Sequence, residues 1–310
     1  MINDNSIFTI GSIALDTIYT KNEHRENILG GSESYFSIAA SYFRKFNVLG
    51  VVGNDFPKKY WDLYDKFEIN TDNIEVKDGA TFRWGGKYSD DYNSRDTLFT
   101  ELGVFENYTP IINESLYEYQ FIFLGNIHPD MQMSIINKSK PNQIIILDTM
   151  NLWIDISLDS LKNVIKHTDI FLLNDEEALL LTKEKNIEKA AEILMHMGPE
   201  IIVIKKGSLG SYLFDAKNNI TANIPAFPIS NVVDTTGAGD SFAGGFVGNL
   251  EKNNIIDSVI AGSAIASFTV SEFGVNGLIN ITKEDIKNRI NHIKHLTKDW
   301  RWAKNPIKMI

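Results

Sequence analysis

Short apolar runs recur along the chain and are separated by segments with helical periodicity. The runs that predict buried strands are 7–10, 48–52, 121–124, 144–147, 170–173 and 201–204. Most of them are followed by a small or polar residue: Gly11, Gly53, Gly125, Asp148 and Asn174. Such residues at strand ends are typical of parallel strands whose loops carry function. The pattern therefore predicts an α/β fold with a mostly parallel sheet.

Three of the intervening segments place apolar residues on one face of a helix. The three sets are Tyr35, Ala39, Tyr42, Phe43 and Phe46; Ile187, Ala190, Ala191, Leu194 and Met197; and Phe242, Phe246 and Leu250. Gly198 and Pro199 are expected to end the second helix. Each apolar face predicts a helix that packs on the sheet.

The segment 71–110 follows neither pattern. It combines aromatic and β-branched residues from Thr81 to Tyr88 with a turn-rich stretch from Asp90 to Asn93. This composition predicts β-hairpin material that projects from the α/β body. Since the sequence contains no internal repeat and no long linker, we predict a single domain over 1–310.

Composition restricts the partners of the protein. The 310 residues are 43% hydrophobic, and 40 acids against 30 bases give a net charge of −10, which disfavours nucleic acid. Cysteine is absent, the N-terminal residues contain no apolar export segment, and no apolar run approaches the roughly 18 residues that a membrane helix needs. We therefore expect a cytoplasmic protein that binds neither nucleic acid nor membrane.

The strongest chemical pattern is DTTGAGDSFAGGF, which runs from Asp234 to Phe246. Small residues cluster where a loop enters a helix, so backbone amides can approach a phosphate at the positive end of the helix dipole. Asp240 lies on the first helical turn, where a carboxylate can accept a proton from an attacking hydroxyl. The alternative is that the small residues only permit close helix packing.

This run resembles the C-terminal signature of the ribokinase-like (PfkB) carbohydrate and nucleoside kinases. The resemblance implies a three-layer αβα sandwich with a mostly parallel central sheet and a small β-lid built from about 13–29 and 71–110. It implies that Asp240 is the catalytic base and that the amides of Gly237, Ala238 and Gly239 form an anion hole. It also implies ATP and Mg²⁺ as cofactors.

The resemblance assigns the phosphate acceptor to residues near the N-terminus and to one later strand end. These residues are Asp16, Gly30, Gly31, Ser32 and Asn126. Asp16 would bind sugar hydroxyls, and Gly30-Gly31 looks like the N-terminal diglycine motif of the family. A solvated turn carboxylate and a plain helix cap are the alternatives. The chain departs from the family at Tyr35, where Asn is usual, so the common amide contact to the sugar is missing or replaced.

The nucleotide side is assigned in the same way. The resemblance implies nucleotide contacts at Asn174, Lys205, Gly207, Gly210, Thr236, Gly239 and Ser267. Asn174 and Glu177 match an Asn-x-x-Glu motif that organises Mg²⁺ through water, although acids in a first helical turn also stabilise the helix dipole. The sequence leaves open whether Lys205 or Lys206 faces phosphate. The loop at Asp234 is a candidate site for a monovalent cation such as K⁺.

Together these features predict an ATP-dependent kinase that transfers the γ-phosphate to a hydroxymethyl group of a sugar. A nucleoside kinase similar to adenosine kinase and a non-catalytic sugar-binding sensor are the alternatives. A homodimer formed through the β-lid is a further expectation from the resemblance.

Overall fold

The computed structural model describes residues 3–21, 23–89, 95–112, 118–250 and 254–298. The strands are β1 (Asn3–Ile10), β2 (Ala14–Tyr19), β3 (His24–Gly30), β4 (Phe46–Gly53), β5 (Asn70–Lys77), β6 (Phe82–Tyr88), β7 (Arg95–Glu101), β8 (Tyr119–Leu124), β9 (Ile144–Asp148), β10 (Ile170–Asn174), β11 (Ile201–Lys205), β12 (Ser211–Asp215) and β13 (Ile220–Ile224). The helices are α1 (Ser32–Ser41), α2 (Lys58–Lys66), α3 (Pro129–Ile136), α4 (Asn151–Ile156), α5 (Leu158–Ile165), α6 (Asp175–Thr182), α7 (Ile187–His196), α8 (Ala238–Gly248), α9 (Ile255–Thr269), α10 (Asn276–Ile279) and α11 (Lys283–Lys298).

A nine-stranded sheet with the order β13-β12-β11-β10-β9-β8-β1-β4-β5 forms the middle layer. All strands from β11 to β5 in this order are parallel, and at one edge β12 pairs antiparallel with β11 and β13 pairs antiparallel with β12. Each of the six apolar runs predicted to be strands lies in this parallel part, which confirms that prediction. Within the described ranges, no helix is both long and apolar enough to cross a bilayer.

The two faces of the sheet pack against different sets of helices. Along β11, Ile202 and Ile204 belong to one core while Val203 belongs to the other, because side chains alternate across a strand. The core that contains Val203 also holds residues of α1, α8, α9 and α11, and the opposite core holds residues of α3, α5, α6 and α7. The predicted αβα sandwich is therefore confirmed.

Two of the predicted helical faces end earlier than expected. Helix α1 ends at Ser41, and Phe46 begins β4, where it pairs with Ile7 of β1. Likewise α8 ends at Gly248, so Leu250 lies beyond it. In the first case, the apolar spacing continues through a turn into the next strand, and only the partner strand β1 reveals where the helix stops.

A separate four-stranded sheet has the order β3-β2-β6-β7. It contains the hairpin of β6 and β7 and the strands expected from 13–29, but β2 and β6 pair in parallel. The predicted turn at 90–93 lies outside the described residues. The structure differs from the predicted boundary at β5, which pairs with β4 in the large sheet and buries Ile74 in the main core.

Candidate active site

Helix α8 begins at the loop predicted to bind phosphate. Gly237 precedes its first residue with a left-handed backbone, φ 71°, and a Cβ at this position would overlap the Tyr35 ring. Glycine is therefore required by backbone conformation and by packing together. The first amides of a helix have no acceptor within that helix, although the Ala238 amide reaches the Thr235 carbonyl at 3.3 Å. The helix start presents the N–H groups and the dipole that favour an anion.

Asp240 occupies the first turn of α8 and is half-buried. Its carboxylate lies close enough to Glu33, Lys205 and Tyr35 to influence the protonation of all three. Burial, opposed by hydrogen bonds, raises the pKa of Glu33 to about 8, and the charge of Asp240 adds to that shift. Burial alone lowers the pKa of Lys205, but the charges of Asp148, Glu177 and Asp240 raise it above its ordinary value. Asp240 is thus a partly solvated carboxylate near a buried ammonium group.

Lys205 and Lys206 have different surroundings. Lys205 Nζ lies 3.0 Å from Oδ2 and 3.2 Å from Oδ1 of Asp148, in a buried ion pair. The same nitrogen is 3.2 Å from the place that a Cβ on Gly239 would occupy. Lys206 Nζ instead lies 3.5 Å from the centre of the Tyr212 ring. The structure therefore puts Lys205, and not Lys206, beside the start of α8.

Asn174 and Glu177 form a reciprocal cap on α6. The Glu177 amide donates to Asn174 Oδ1 at 2.7 Å, and the Asn174 amide donates to Glu177 Oε2 at 2.8 Å. Asn174 ends β10 and pairs with Lys205 on β11, so the cap sits beside the buried ammonium group. The geometry is compatible with a motif that organises Mg²⁺ and with a motif that only stabilises the start of the helix, because capping fixes the Glu177 carboxylate without removing its charge.

Asp234 is fully buried and joins two loops. Its Oδ1 accepts from the Thr236 amide at 2.9 Å and its Oδ2 from the Gly274 amide at 3.0 Å. Thr236 Oγ1 lies 2.7 Å from the hydroxyl of Tyr88 on β6. The small sheet is therefore hydrogen-bonded to the loop that leads into α8.

The residues predicted to bind the acceptor, Asp16, Gly30 and Gly31, lie together at the junction of the small sheet and α1. Asp16, on β2, is 3% exposed, and a Cβ on Gly30 would overlap its carboxylate. Gly31 has φ 83°, and a Cβ there would overlap the Ser12 carbonyl. Both glycines therefore allow backbone and carboxylate to approach more closely than any side chain permits.

Three predicted ligands have polar atoms that already make internal hydrogen bonds. The Ser32 hydroxyl accepts from the Ser12 amide at 3.1 Å, and no side chain caps α1, whose cap residue is Gly31. The Asn126 amide contacts Met150 Sδ and accepts from Trp153 Nε1 at 2.7 Å. Ser267 Oγ donates to the Ala264 carbonyl and accepts from Arg289. A ligand at any of these three residues would have to compete with those partners.

The two glycines after Lys206 differ in their surroundings. Gly210 has φ 87°, and a Cβ at this position would overlap the Ile224 carbonyl. Glycine is therefore needed here for packing. Gly207 has φ 53°, and no atom of the described residues lies within 4 Å of the place that a Cβ would occupy there. Gly207 therefore lies on the open side of the predicted nucleotide loop.

Sequence reasoning missed Glu33 and the hydrogen bond between Tyr88 and Thr236. Glu33 is 1% exposed and accepts from Thr9 Oγ1 at 2.8 Å and from Ser37 Oγ at 2.7 Å. The signal for Glu33 is the polar pair Glu33 and Ser37, four residues apart on a helix that is otherwise buried. The position of Tyr88 depends on the pairing of β6 with β2, which no local pattern encodes.

Comparison with known proteins identifies the family of this chain. The family model described as pfkB family carbohydrate kinase matches residues 4–282. A cytidine kinase of Thermococcus kodakarensis is 25% identical over 261 residues, which are 82% of this chain and 91% of that protein.

Solved structures agree on the fold. A nucleoside kinase of Burkholderia thailandensis in complex with inosine superposes with a TM-score of 0.76 at 17% identity, over 92% of this chain and 96% of that one. The ribokinase of Arabidopsis thaliana complexed with ribose and ATP gives a TM-score of 0.76 at 19% identity, over 93% of this chain and 99% of that one. The large parallel sheet with a separate small sheet is thus the ribokinase fold. This chain belongs to the pfkB family of carbohydrate and nucleoside kinases, which are phosphotransferases with an alcohol group as acceptor.

Proposed function

We propose that this protein transfers the γ-phosphoryl group of ATP to the hydroxymethyl group of a ribose unit, either in a nucleoside or in a free sugar. The observation that carries the proposal is the half-buried Asp240 on the first turn of α8, with Lys205 Nζ 3.2 Å from the Cβ position of Gly239. A carboxylate, a helix start and an ammonium group then surround one small volume. A nucleoside is the first candidate, because two relatives that align with 82% and 86% of this chain are named cytidine kinase and nucleoside kinase.

In this proposal, each group of the chain has one task. Asp240 accepts the proton of the attacking hydroxyl. The amides of Gly237, Ala238 and Gly239, with Lys205, stabilise negative charge on the transferring group. When bound, Mg-ATP supplies the phosphoryl group and a divalent cation that neutralises the phosphate charge.

The residues fit such a cofactor. Across the described part of the chain, no cluster of three or more acidic or histidine side chains is arranged to hold a metal ion. Mg²⁺ that is held mainly by phosphates and water requires only one or two protein oxygens. Glu177 and Asn174, beside Lys205, would hold that ion through water, and the open side of Gly207 leaves room for nucleotide.

The small sheet is proposed to act as a lid. It carries Asp16, which would bind the acceptor's ribose hydroxyls next to Gly30 and Gly31. The hydrogen bond between the hydroxyls of Tyr88 and Thr236 connects the lid to the loop before α8. Closure then excludes water, which suppresses wasteful hydrolysis of ATP.

Two finer points belong to the same proposal. A K⁺ ion is proposed beside the buried Asp234 loop, and replacing K⁺ by Na⁺ in the assay should then lower turnover.

A homodimer is proposed through the lid, where Leu98 on β7 is 51% exposed. Light scattering should then report a dimer for the wild-type protein and a monomer for Leu98→Asp.

The test is an assay of ADP release with Mg-ATP and a panel of cytidine, adenosine, inosine, ribose and fructose. We expect acceptor-dependent ADP release, highest with a nucleoside, and a rate lowered by about 100-fold or more with Asp240→Asn. If no acceptor supports release while a sugar raises the melting temperature, the protein is a sugar-binding sensor. If ribose or fructose exceeds every nucleoside, the sugar kinase alternative replaces the nucleoside assignment.

A further inference from the structure

Tyr35 has a buried hydroxyl group that lacks a hydrogen-bond partner among the described residues. The side chain lies on α1 and is 1% exposed, and its hydroxyl makes no hydrogen bond within the part of the chain that the structure describes. The ring lies directly against Gly237, at the start of α8. A buried polar group without a partner is unusual because it loses its hydrogen bond to water on folding.

The charges around this phenol belong to the candidate active site. Burial raises the pKa of Tyr35 well above its ordinary value, and the nearby carboxylates of Asp234, Asp16 and Asp240 add to that shift. The phenol is therefore neutral and can donate. Asp16 belongs to the small sheet and Asp240 to α8, so charges of both parts of the fold act on a phenol whose ring packs against Gly237.

From this arrangement we infer that Tyr35 is a specificity-determining residue whose hydroxyl donates to an oxygen of the phosphate acceptor. The inference rests on the proposed function, since it concerns the acceptor of that same site. The acceptor must therefore present a hydroxyl group that lies between Tyr35 and a carboxylate.

The chemistry of the surrounding groups explains why a hydroxyl is required. An ionised carboxylate accepts hydrogen bonds but cannot donate one, whereas the neutral phenol of Tyr35 can donate. A ligand hydroxyl satisfies both at once, because it donates to Asp16 or Asp240 and accepts from Tyr35. A ligand without that hydroxyl would leave the Tyr35 O–H buried with no hydrogen-bond partner among the described residues.

The test compares the wild-type protein with Tyr35→Phe on ligands that differ by one hydroxyl. The probes are cytidine, 2′-deoxycytidine and 3′-deoxycytidine, with ribose and 2-deoxyribose as sugar counterparts. Kd is measured by calorimetry without ATP, and kcat and KM are measured by ADP release. Tyr42→Phe is the control, because its hydroxyl also is lost, but that hydroxyl bonds to the Leu278 carbonyl.

Removal of the Tyr35 hydroxyl should weaken binding of the hydroxylated probe by about tenfold, as expected for one neutral hydrogen bond. One deoxy probe should bind the wild-type protein and Tyr35→Phe equally well. The melting temperature of free Tyr35→Phe should equal or exceed that of the wild-type protein, because no hydrogen bond is lost. Tyr42→Phe should keep wild-type Kd values and lose stability.

Two results would overturn the inference. One is a Tyr35→Phe variant that binds every hydroxylated probe within twofold of the wild-type Kd. The other is a wild-type protein that binds none of the probes. Binding without any ADP release would refute the proposed kinase activity alone, because the calorimetric comparison does not depend on phosphoryl transfer.

Discussion

The Nζ atom of Lys205 lies 3.0 Å from Oδ2 of Asp148, and the side chains of the two residues are 13% and 5% exposed. The pair forms where β9 and β11 end, on either side of β10 in the large sheet. A buried ion pair contributes little net stability by itself, but it fixes the position of its charges. Asp148 thereby holds an ammonium group beside Gly239, where phosphate is proposed to bind.

Replacing Lys205 by Met should affect both stability and turnover. Asp148 would remain buried without its partner, which costs about 3–5 kcal/mol of unfolding free energy, and kcat should fall by roughly 100-fold through lost charge stabilisation. Urea denaturation and ADP release measure the two effects. Lys206→Met is the matched control, and we expect it to retain turnover; equal losses in the two variants would contradict the assignment of Lys205.

Asp240→Asn should retain ligand binding and lose turnover. The amide has the same size but cannot accept the proton of the acceptor, so kcat should fall by about 100-fold or more while the Kd for nucleotide changes little. Calorimetry and steady-state kinetics measure these quantities. Asp257→Asn removes a carboxylate from the first turn of α9, where it pairs with Lys294. That control should keep wild-type kcat, and near-normal turnover in Asp240→Asn would exclude Asp240 as the base.

Gly237→Ala should be far more destabilising than Gly207→Ala. Both glycines have positive φ, 71° and 53°, so both substitutions impose backbone strain of about 1–2 kcal/mol. Only the Cβ at Gly237 overlaps the Tyr35 ring, whereas the Cβ at Gly207 meets open space. The difference in unfolding free energy between the two variants measures the overlap, and equal values would show that the ring moves aside without cost.

Glu33 should make the protein less stable as pH rises. Its pKa is about 8 in the folded protein against 4.5 for an ordinary Glu, so between these values the folded state keeps a proton that the unfolded state has released. The stabilising contribution is therefore complete below about pH 4.5 and declines as pH increases to about 8, by at most about 1.4 kcal/mol per pH unit.

The corresponding variant is Glu33→Gln, which stays neutral throughout this range. Unfolding free energies from urea titrations at pH 5 to 9 should fall less steeply for Glu33→Gln than for the wild-type protein. Glu176→Gln, at an exposed position on α6, is the control and should reproduce the wild-type slope. Parallel curves for the wild-type protein and Glu33→Gln would show that Glu33 does not cause the decline.

The amino-acid sequence by itself determined the parallel sheet, the helix that starts at Ala238 and the clustering of candidate residues at strand ends. These features follow from local periodicity and from glycine-rich spacing, which neighbouring residues encode. Tertiary structure alone decided the choice of Lys205 over Lys206, the burial of Glu33, the place of β5 in the large sheet and the contact of Tyr35 with Gly237. Each of these four features depends on residues that are far apart in sequence and come into contact only in the folded chain. Burial, ion pairing and side-chain overlap arise from those contacts.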